Sequence, residues 1–225
     1  IVDLIENGFN VISVDNLSRS SENSLAGIEK ITGKKVKNYN IDLTNAQAAE
    51  SIFTENPNIT GVIHFAAYKA VGESVEMPLA YYKNNIFSLV NLLKLAVKYN
   101  AMHFIFSSSC TVYGNPDAIP VTEQTPLQPA ASPYGATKQM GESIIKDTAF
   151  VEPLSTILLR YFNPVGAHPS TAIGELPIGR PQNLVPAITQ TAIGKLATMQ
   201  VYGDDYDTRD GSCIRDYIHV CDIAR

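Results

Sequence analysis

Short apolar segments alternate with longer helical segments along most of this 225-residue chain. Strand-like runs cover residues 11–14, 62–65, 102–106 and 155–160, and helical stretches separate them, the longest over residues 78–100. Consecutive strands joined by helices run parallel, and the helices cover both faces of the sheet. This order therefore predicts an α/β fold with a doubly wound parallel sheet, in which the run at 62–65 is a buried strand.

The composition changes after residue 163. Prolines and glycines crowd residues 164–186, as in a loop-rich cap, and a short strand is predicted over 199–202. We therefore predict two domains, a larger one over residues 1–163 and a smaller α/β domain over residues 164–225.

One helix carries a reactive pattern. Ser132 and Pro133 are typical of an N-cap and a first helical position, so a helix is predicted to begin here. Tyr134 and Lys138 lie four residues apart and therefore share one face of that helix. Ser109 follows the apolar run at 102–106. A phenol, an ammonium and a serine hydroxyl together are suited to moving a proton on and off a sugar hydroxyl.

Tyrosine acts as a base near neutral pH only if its pKa falls. The pKa of free tyrosine is about 10, so a drop of roughly 3 units is needed, or about 4 kcal/mol. An exposed ion pair contributes only about 0.2 to 1 kcal/mol. Lys138 alone is therefore insufficient, and the site needs shelter and a second positive charge such as an oxidised nicotinamide. The bare Tyr-x-x-x-Lys pattern also arises by chance on long helices.

Two acidic residues follow predicted strands. Asp15 ends the first apolar run, and Asp42 lies at the end of a strand predicted before Thr44. Ligands bind at the carboxyl ends of parallel strands, and in dinucleotide-binding folds an acid after the second strand binds the adenosine ribose hydroxyls. Asp15 is the candidate for this role if the first strand of such a fold is expected before Ile1. A strand that simply ends in a polar turn explains Asp15 equally well.

Composition narrows the class of protein. Only 17% of the residues are charged, the formal net charge is −5 and the basic residues are scattered, which argues against a nucleic-acid partner. No apolar run reaches the length of a membrane span, so we expect a soluble, cytoplasmic protein. Cys110, Cys213 and Cys221 are expected to be free thiols in a reducing compartment. The four histidines lack metal-ligand spacing, and we predict no metal site.

Several longer blocks resemble a known family. They are DNL at 15–17, HFAAYKAVGES at 64–74, FSSS at 106–109, TVYG at 111–114, LRYFNPVGAHP at 159–169 and RDYIHV at 215–220. Together with Tyr134 and Lys138, they resemble the extended short-chain dehydrogenase/reductases and, more narrowly, the UDP-glucose 4-epimerase family. The likeness runs through essentially the whole chain. It implies a Rossmann-type NAD-binding domain followed by a UDP-sugar-binding domain.

The resemblance implies a role in NAD binding for three groups of residues. They are Asp15, Asn16, Leu17, Ser18, Arg19 and Ser20 for the adenosine ribose, Asp42 and Leu43 for the adenine, and Phe65, Ala66, Ala67, Tyr68, Lys69 and Asn84 for the pyrophosphate side. Lys138 would bind the nicotinamide ribose and lower the pKa of Tyr134, and Phe162 would lie near the nicotinamide.

The resemblance also implies a UDP-hexose substrate. The sugar would meet Lys69, Ser109 and Tyr134, and the nucleotide would meet Asn163, Asn183, Leu184, Gln200, Val201, Tyr202 and Arg215. Tyr134 would take the proton of the 4-hydroxyl while hydride leaves C4 for NAD. The 4-keto sugar would then turn over and receive the hydride on its other face. UDP-galactose and UDP-glucose would be interconverted in galactose metabolism by a homodimer, and the use of N-acetylated sugars stays open.

The chain departs from the family pattern at both ends. The strand and glycine loop expected before Ile1 and the distal part of the substrate domain are absent, so we expect a truncated chain that is inactive alone. Cys110 occupies a position usually held by a small residue.

Three alternatives stay open. A nucleotide-sugar 4,6-dehydratase would need a carboxylate beside Ser109, where the sequence has Cys110 and Thr111. A non-catalytic NAD or UDP-sugar binder has no use for an intact Tyr134 and Lys138. The chain would otherwise be a natural truncated product without activity.

Overall fold

A computed structural model of the chain describes residues 1–225. Its elements, in chain order, are α1 (Val2–Glu6), β1 (Ser13–Val14), α2 (Asn23–Thr32), β2 (Asn38–Tyr39), α3 (Ala46–Glu55), β3 (Gly61–His64), α4 (Val71–Glu76), α5 (Pro78–Lys98), β4 (His103–Ser107), a 3-10 helix (Cys110–Tyr113), α6 (Pro133–Val151), β5 (Ser155–Leu159), β6 (Asn163–Val165), α7 (Leu184–Ala192), β7 (Tyr217–His219) and α8 (Val220–Ala224). The chain divides into two compact units, one of residues 1–40 with 162–225 and one of residues 41–161. The domain boundary predicted after residue 163 stays a prediction.

All the strand pairs are parallel, which confirms the predicted α/β class. β1 pairs with β2, β6 pairs with β7, and β4 lies between β3 and β5 in a three-stranded sheet. Helices α4 and α5 connect β3 to β4, and α6 connects β4 to β5. The strand–helix–strand order predicted from the sequence is therefore the order that builds this sheet.

Local sequence signals set where two of the helices, α3 and α6, begin. The Ser132 side chain accepts a hydrogen bond from the Gly135 backbone N–H at 3.1 Å, and Pro133 takes the first position of α6, as predicted. Asn45 caps α3, since its side chain accepts a hydrogen bond from the Ala48 N–H at 3.1 Å. None of the helices combines the length and the apolar character needed to cross a bilayer.

The first unit has a small apolar core. Val2 and Ile5 of α1 pack with Ile28 of α2 and with Val36, and all four side chains are buried. Gly27 permits this packing, because a Cβ there would lie 2.3 Å from the Ala172 carbonyl oxygen. The spacing of Val2 and Ile5 is that of one buried helical face.

The second unit packs two long helices against the central strand of its sheet. Phe104 and Phe106 of β4 are 0% and 3% exposed. Leu89 of α5 and Ile145 of α6 are both fully buried as well. Gly141 brings α6 close to the sheet, because a Cβ there would lie 2.8 Å from Phe106 Cζ and 3.2 Å from Leu89 Cδ2. This packing fixes α6 relative to the end of β4.

Two sequence-based predictions about strands are wrong. The run at 62–65 forms a parallel strand, but Ile63 is 41% and Phe65 59% exposed. β3 is an edge strand, and only the face that carries His64, 3% exposed, is covered. Residues 199–202 form no strand, because no other strand pairs with their backbone, and the contacts of Gln200 with Arg180 and Tyr202 are made by its side chain.

Candidate active site

Helix α6 presents Tyr134 and Lys138 on a buried face. The capped first turn fixes Tyr134, which is 9% exposed, and Lys138 follows one turn later at 4% exposed. Ordinary surface lysines are rarely buried to this degree. The position of both side chains against β4 therefore points to a site and not to a solvated helix face.

Ser109 lies two residues beyond the end of β4 and caps the 3-10 helix. Its Oγ accepts a hydrogen bond from the Thr111 backbone N–H at 3.2 Å, and the residue is 9% exposed. Because the oxygen is engaged as an acceptor, the hydroxyl proton is available for donation. The Ser109 hydroxyl also hydrogen-bonds to Tyr134, which acts to lower the pKa of the phenol. The structure thus brings these two predicted residues together.

The ammonium of Lys138 is held below the site. Nζ donates to the Ser107 carbonyl oxygen at 2.6 Å and lies 4.8 Å from the ring centroid of Phe106 and 5.8 Å from that of Tyr134. Burial lowers the pKa of Lys138 to about 8. Lys138 is therefore still mostly protonated at neutral pH, but it loses its charge when the pH rises above about 8.

In the protein alone, the pKa of Tyr134 is raised and not lowered. Burial raises it to about 12, and the hydrogen bond from Ser109 offsets only part of this effect. The ammonium of Lys138, engaged by a carbonyl and itself buried, does not reverse the shift. Forming a phenolate at pH 7 would then require about 7 kcal/mol. The requirement for a second positive charge is therefore larger than the sequence suggested.

His64 adds no charge to this region. Its ring stacks on Phe106 with centroids 6.0 Å apart, and burial, followed by the nearby Lys138 charge, lowers its pKa to about 3. A neutral imidazole packed on an aromatic ring is a core residue. No group of three or more His, Cys, Asp or Glu side chains is arranged to hold a metal ion.

Sequence reasoning missed an ion pair beside the site. Glu142 of α6, 1% exposed, accepts hydrogen bonds from Ser108 Oγ at 2.6 Å and from Arg160 Nε at 2.8 Å. Arg160 also lies across the ring of Tyr113, at 5.1 Å from its centroid. The signal was present in the sequence, since Glu142 continues the four-residue spacing of Tyr134 and Lys138.

A second missed residue, Asn85 of α5, holds the loop after β3. Its side chain accepts from the Tyr68 N–H at 2.8 Å and donates to the Tyr68 carbonyl at 3.0 Å and to Thr137 Oγ1 at 3.1 Å. The hydroxyl of Tyr81 accepts from the Ala70 N–H at 3.1 Å. The loop predicted to approach the cofactor is thus tied to both α5 and α6.

The predicted site residues fall into two sets. Those in the second unit are Asp42, Leu43, Phe65, Ala66, Ala67, Tyr68, Lys69, Asn84, Ser109, Tyr134 and Lys138. Those in the first unit are Asp15, Asn16, Leu17, Ser18, Arg19, Ser20, Phe162, Asn163, Asn183, Leu184, Gln200, Val201, Tyr202 and Arg215. Their roles stay predictions.

In the first unit, Asp15 organises the turn after β1. Its Oδ1 accepts from the Leu17 N–H and from Ser20 Oγ, both at 2.8 Å. In the second unit, Asp42 accepts in a similar way from the Thr44 N–H at 2.8 Å. These turns fit a ligand-binding loop and a plain polar turn alike.

Several of the predicted nucleotide contacts are engaged within the first unit. Asn163 donates to the Asp216 carbonyl at 2.8 Å, and Asn183 donates to Glu175 at 2.9 Å. Gln200 accepts from Arg180 at 2.6 Å and from the Tyr202 hydroxyl at 2.9 Å.

Comparisons with known proteins give consistent results. The family model described as GDP-mannose 4,6 dehydratase matches residues 1–224. A UDP-glucose 4-epimerase of Schizosaccharomyces pombe is 52% identical over 99% of this chain and 64% of its own length. That of Yersinia enterocolitica is 51% identical over 100% of this chain and 67% of its own. The chain thus spans about two thirds of the length of these relatives.

Solved structures agree with the sequence matches. The UDP-glucose 4-epimerase of Bifidobacterium longum, in complex with NAD+ and UDP, superposes with a TM-score of 0.96 at 51% identity, over 99% of this chain and 67% of that one. The enzyme of Stenotrophomonas maltophila, with bound NAD and formylated UDP-arabinopyranose, gives a TM-score of 0.93 at 44% identity over 99% and 66%.

Proposed function

This chain belongs to the UDP-glucose 4-epimerase family, and we propose that the full-length protein interconverts UDP-galactose and UDP-glucose with a tightly held NAD. The observation that carries the proposal is the buried set of Ser109, Tyr134 and Lys138 around the end of β4. A proton acceptor, a hydrogen-bond donor and an ammonium are what removal of a hydroxyl proton requires.

The residues present fit a nicotinamide cofactor. Tyr134, with its pKa raised to about 12, needs a nearby positive charge before it can act as a base, and oxidised nicotinamide carries one. Lys138 spends one of its three N–H donors on the Ser107 carbonyl and keeps donors for ribose hydroxyls. Bound NAD would accept the hydride from sugar C4 and return it.

Each side chain then has a distinct part in the reaction. Tyr134 takes the proton of the 4-hydroxyl as the C4–H bond breaks and returns it when the 4-keto sugar is reduced. Ser109, whose oxygen is fixed by the Thr111 N–H, donates to the reacting oxygen. Lys138 stabilises the phenolate form of Tyr134. Reduction on the opposite face inverts C4, provided that the 4-keto sugar rotates while its nucleotide stays bound.

A 4,6-dehydratase is the second candidate, because the matching family model carries that description. Such an enzyme needs a protonated acid to release a hydroxyl as water. Cys110 and Thr111 follow Ser109, and neither is an acid. The nearby Glu142 is bound by Arg160, and although burial raises its pKa, hydrogen bonds from Arg160 and Ser108 produce a net lowering. Glu142 therefore stays ionised, which argues against the dehydratase.

The test is to incubate the full-length protein with UDP-galactose, without added nicotinamide, and to follow UDP-glucose. We expect conversion that falls by at least about 10³-fold in Tyr134→Phe, which keeps the ring but loses the base. A 4-keto-6-deoxy sugar would instead indicate the dehydratase. Binding of UDP-sugar without turnover would indicate a non-catalytic binder, and either result would refute the proposed activity.

We also propose that the protein is a homodimer that pairs through α5 and α6. Leu79 and Phe87 lie eight residues apart on one face of α5 and are 82% and 54% exposed, and Met140 of α6 is 46% exposed. Exposed apolar side chains on paired helices favour burial against a second copy. We expect sedimentation of a dimer for the full-length protein and of a monomer for Phe87→Glu. A wild-type monomer would contradict this proposal.

A cytoplasmic location is part of the same proposal. Cys213 and Cys221 are free thiols, as expected in a reducing compartment. Microscopy of a fluorescent fusion of the full-length protein tests it, and signal confined to an oxidising compartment would contradict it.

A further inference from the structure

Three polar side chains meet behind the reacting groups, and no step of the proposed reaction uses them. Glu142 lies on α6, Ser108 follows β4 and Arg160 follows β5. Glu142 Oε1 accepts from Ser108 Oγ at 2.6 Å and Arg160 Nε at 2.8 Å, and Oε2 accepts from the second guanidinium nitrogen at 2.6 Å. Glu142 and Ser108 are each 1% exposed. One carboxylate thus joins three segments of the second unit.

Stability alone is a poor reason for this arrangement. Burial acts to raise the pKa of Glu142, and the hydrogen bonds from Arg160 and Ser108 are needed to produce its net lowering. A buried ion pair generally stabilises a fold no better than apolar side chains of the same size, because both charges lose their hydration. What a two-point guanidinium–carboxylate contact provides is a fixed distance and a fixed orientation.

Each arm of this contact lies next to a reacting group. Ser108 precedes Ser109, which hydrogen-bonds to the phenol. Glu142 lies one turn beyond Lys138 and two turns beyond Tyr134 on the same face of α6. The carboxylate therefore ties the helix that carries the base to the strand end that carries the donor.

The third arm reaches the same place. Arg160 precedes Tyr161, whose carbonyl oxygen accepts from the Cys110 N–H at 3.2 Å and whose hydroxyl contacts Ser107 Oγ. Ser107 in turn supplies the carbonyl that holds Lys138. Movement of Arg160 would thus be transmitted to the ammonium as well as to the serine.

We propose that Glu142 is a positioning residue that holds Ser109 and Tyr134 at their reactive separation through Ser108 and Arg160. The proposal rests on the epimerase function proposed above. Glu142 is 1% exposed and its two oxygens are occupied by Ser108 and Arg160, so it acts through these neighbours and not on the substrate. Loss of Glu142 should reduce the stabilisation of the transition state far more than it reduces the affinity for the substrate.

The test compares three variants of the full-length protein. Glu142→Gln keeps the shape but removes the charge that pairs with Arg160. Ser108→Ala keeps the ion pair and removes only the link to the strand end. Lys146→Gln is the control, since Lys146 also approaches Glu142, at 3.5 Å, but its side chain is 57% exposed.

We expect kcat for UDP-galactose to fall about 30-fold in Glu142→Gln and about 10-fold in Ser108→Ala, because a misplacement of about 1 Å costs up to 10²-fold. KM and bound NAD should stay within about twofold, and Lys146→Gln should match the wild type. If Glu142→Gln fails to fold, Ser108→Ala decides the matter. An active wild type with unchanged kcat in Ser108→Ala and Glu142→Gln, or a loss confined to KM, overturns the positioning role alone. A wild type that does not epimerise overturns both proposals.

Discussion

Replacing Lys138 with methionine should change how the stability of the protein depends on pH. Lys138 is 4% exposed, and burial lowers the pKa of its ammonium from 10.5 to about 8. Methionine has a similar length and packs readily against aromatic rings such as that of Phe106. The substitution therefore removes one titrating group from a buried site.

The magnitude follows from the shift. Because the pKa of Lys138 is lower in the folded protein, folding disfavours the charged form, at a cost that is complete below about pH 8 and vanishes above pH 10.5. The full cost is about 3 kcal/mol, and most of it is relieved between pH 7 and pH 10. Over this range the free energy of unfolding of the wild type should therefore rise by that amount relative to Lys138→Met.

The difference between the two proteins isolates this effect. Tyr134 and the other ionisable groups titrate in both proteins and cancel. His64, with a pKa near 3, stays neutral throughout. The assay is urea unfolding of the full-length protein, freed of cofactor, at several pH values between about 7 and 10. Lys94→Met, on an exposed position of α5, is the control. Parallel pH dependences of wild type and Lys138→Met would refute the reasoning.

Two further predictions concern packing around the site. Gly141→Ala should lower the free energy of unfolding by about 1 kcal/mol, because its Cβ would lie 2.8 Å from Phe106 Cζ. Gly72→Ala is the control, because open space surrounds Gly72 and the added methyl group should not destabilise the fold. Urea unfolding compares the two variants, and equal effects would contradict the close approach at Gly141. Asn85→Ala should lower the free energy of unfolding by about 3 kcal/mol, because it removes both hydrogen bonds to the Tyr68 backbone. Hydrogen exchange at the Tyr68 amide should become faster, and unchanged exchange would show that other contacts hold the loop.

Local signals made part of this protein predictable. Ser132 and Pro133 define the start of α6 by capping and fixed backbone geometry, both of which act within a few residues. The spacing of Tyr134 and Lys138 then follows from helical periodicity. The parallel sheet was also predictable, because the alternation of strands and helices is visible in the sequence and strands joined by helices pair in parallel.

Tertiary packing decided the features that the sequence did not reveal. A strand at 199–202 failed because a strand exists only with a partner, and none lies there. The role of Asn85 depends on a loop 17 residues earlier in the chain, and that of Glu142 on Arg160, 18 residues later. The pKa of Tyr134 needed the depth of burial, which periodicity does not supply.

In the proposed reaction, the single hydroxyl of Ser109 serves both the backbone and the chemistry. Its oxygen caps the 3-10 helix at Thr111 while its proton is directed elsewhere. Ser109→Ala would therefore remove two things at once, and its kinetic effect would overstate the value of the catalytic hydrogen bond. Ser109→Cys weakens hydrogen-bond donation but keeps a weak acceptor for the Thr111 N–H. Comparing kcat of Ser109→Ala with kcat of Ser109→Cys therefore separates the effect of the lost cap from that of the lost donor. Any replacement of Ser109 would therefore have to supply both an acceptor for the Thr111 N–H and a hydrogen-bond donor.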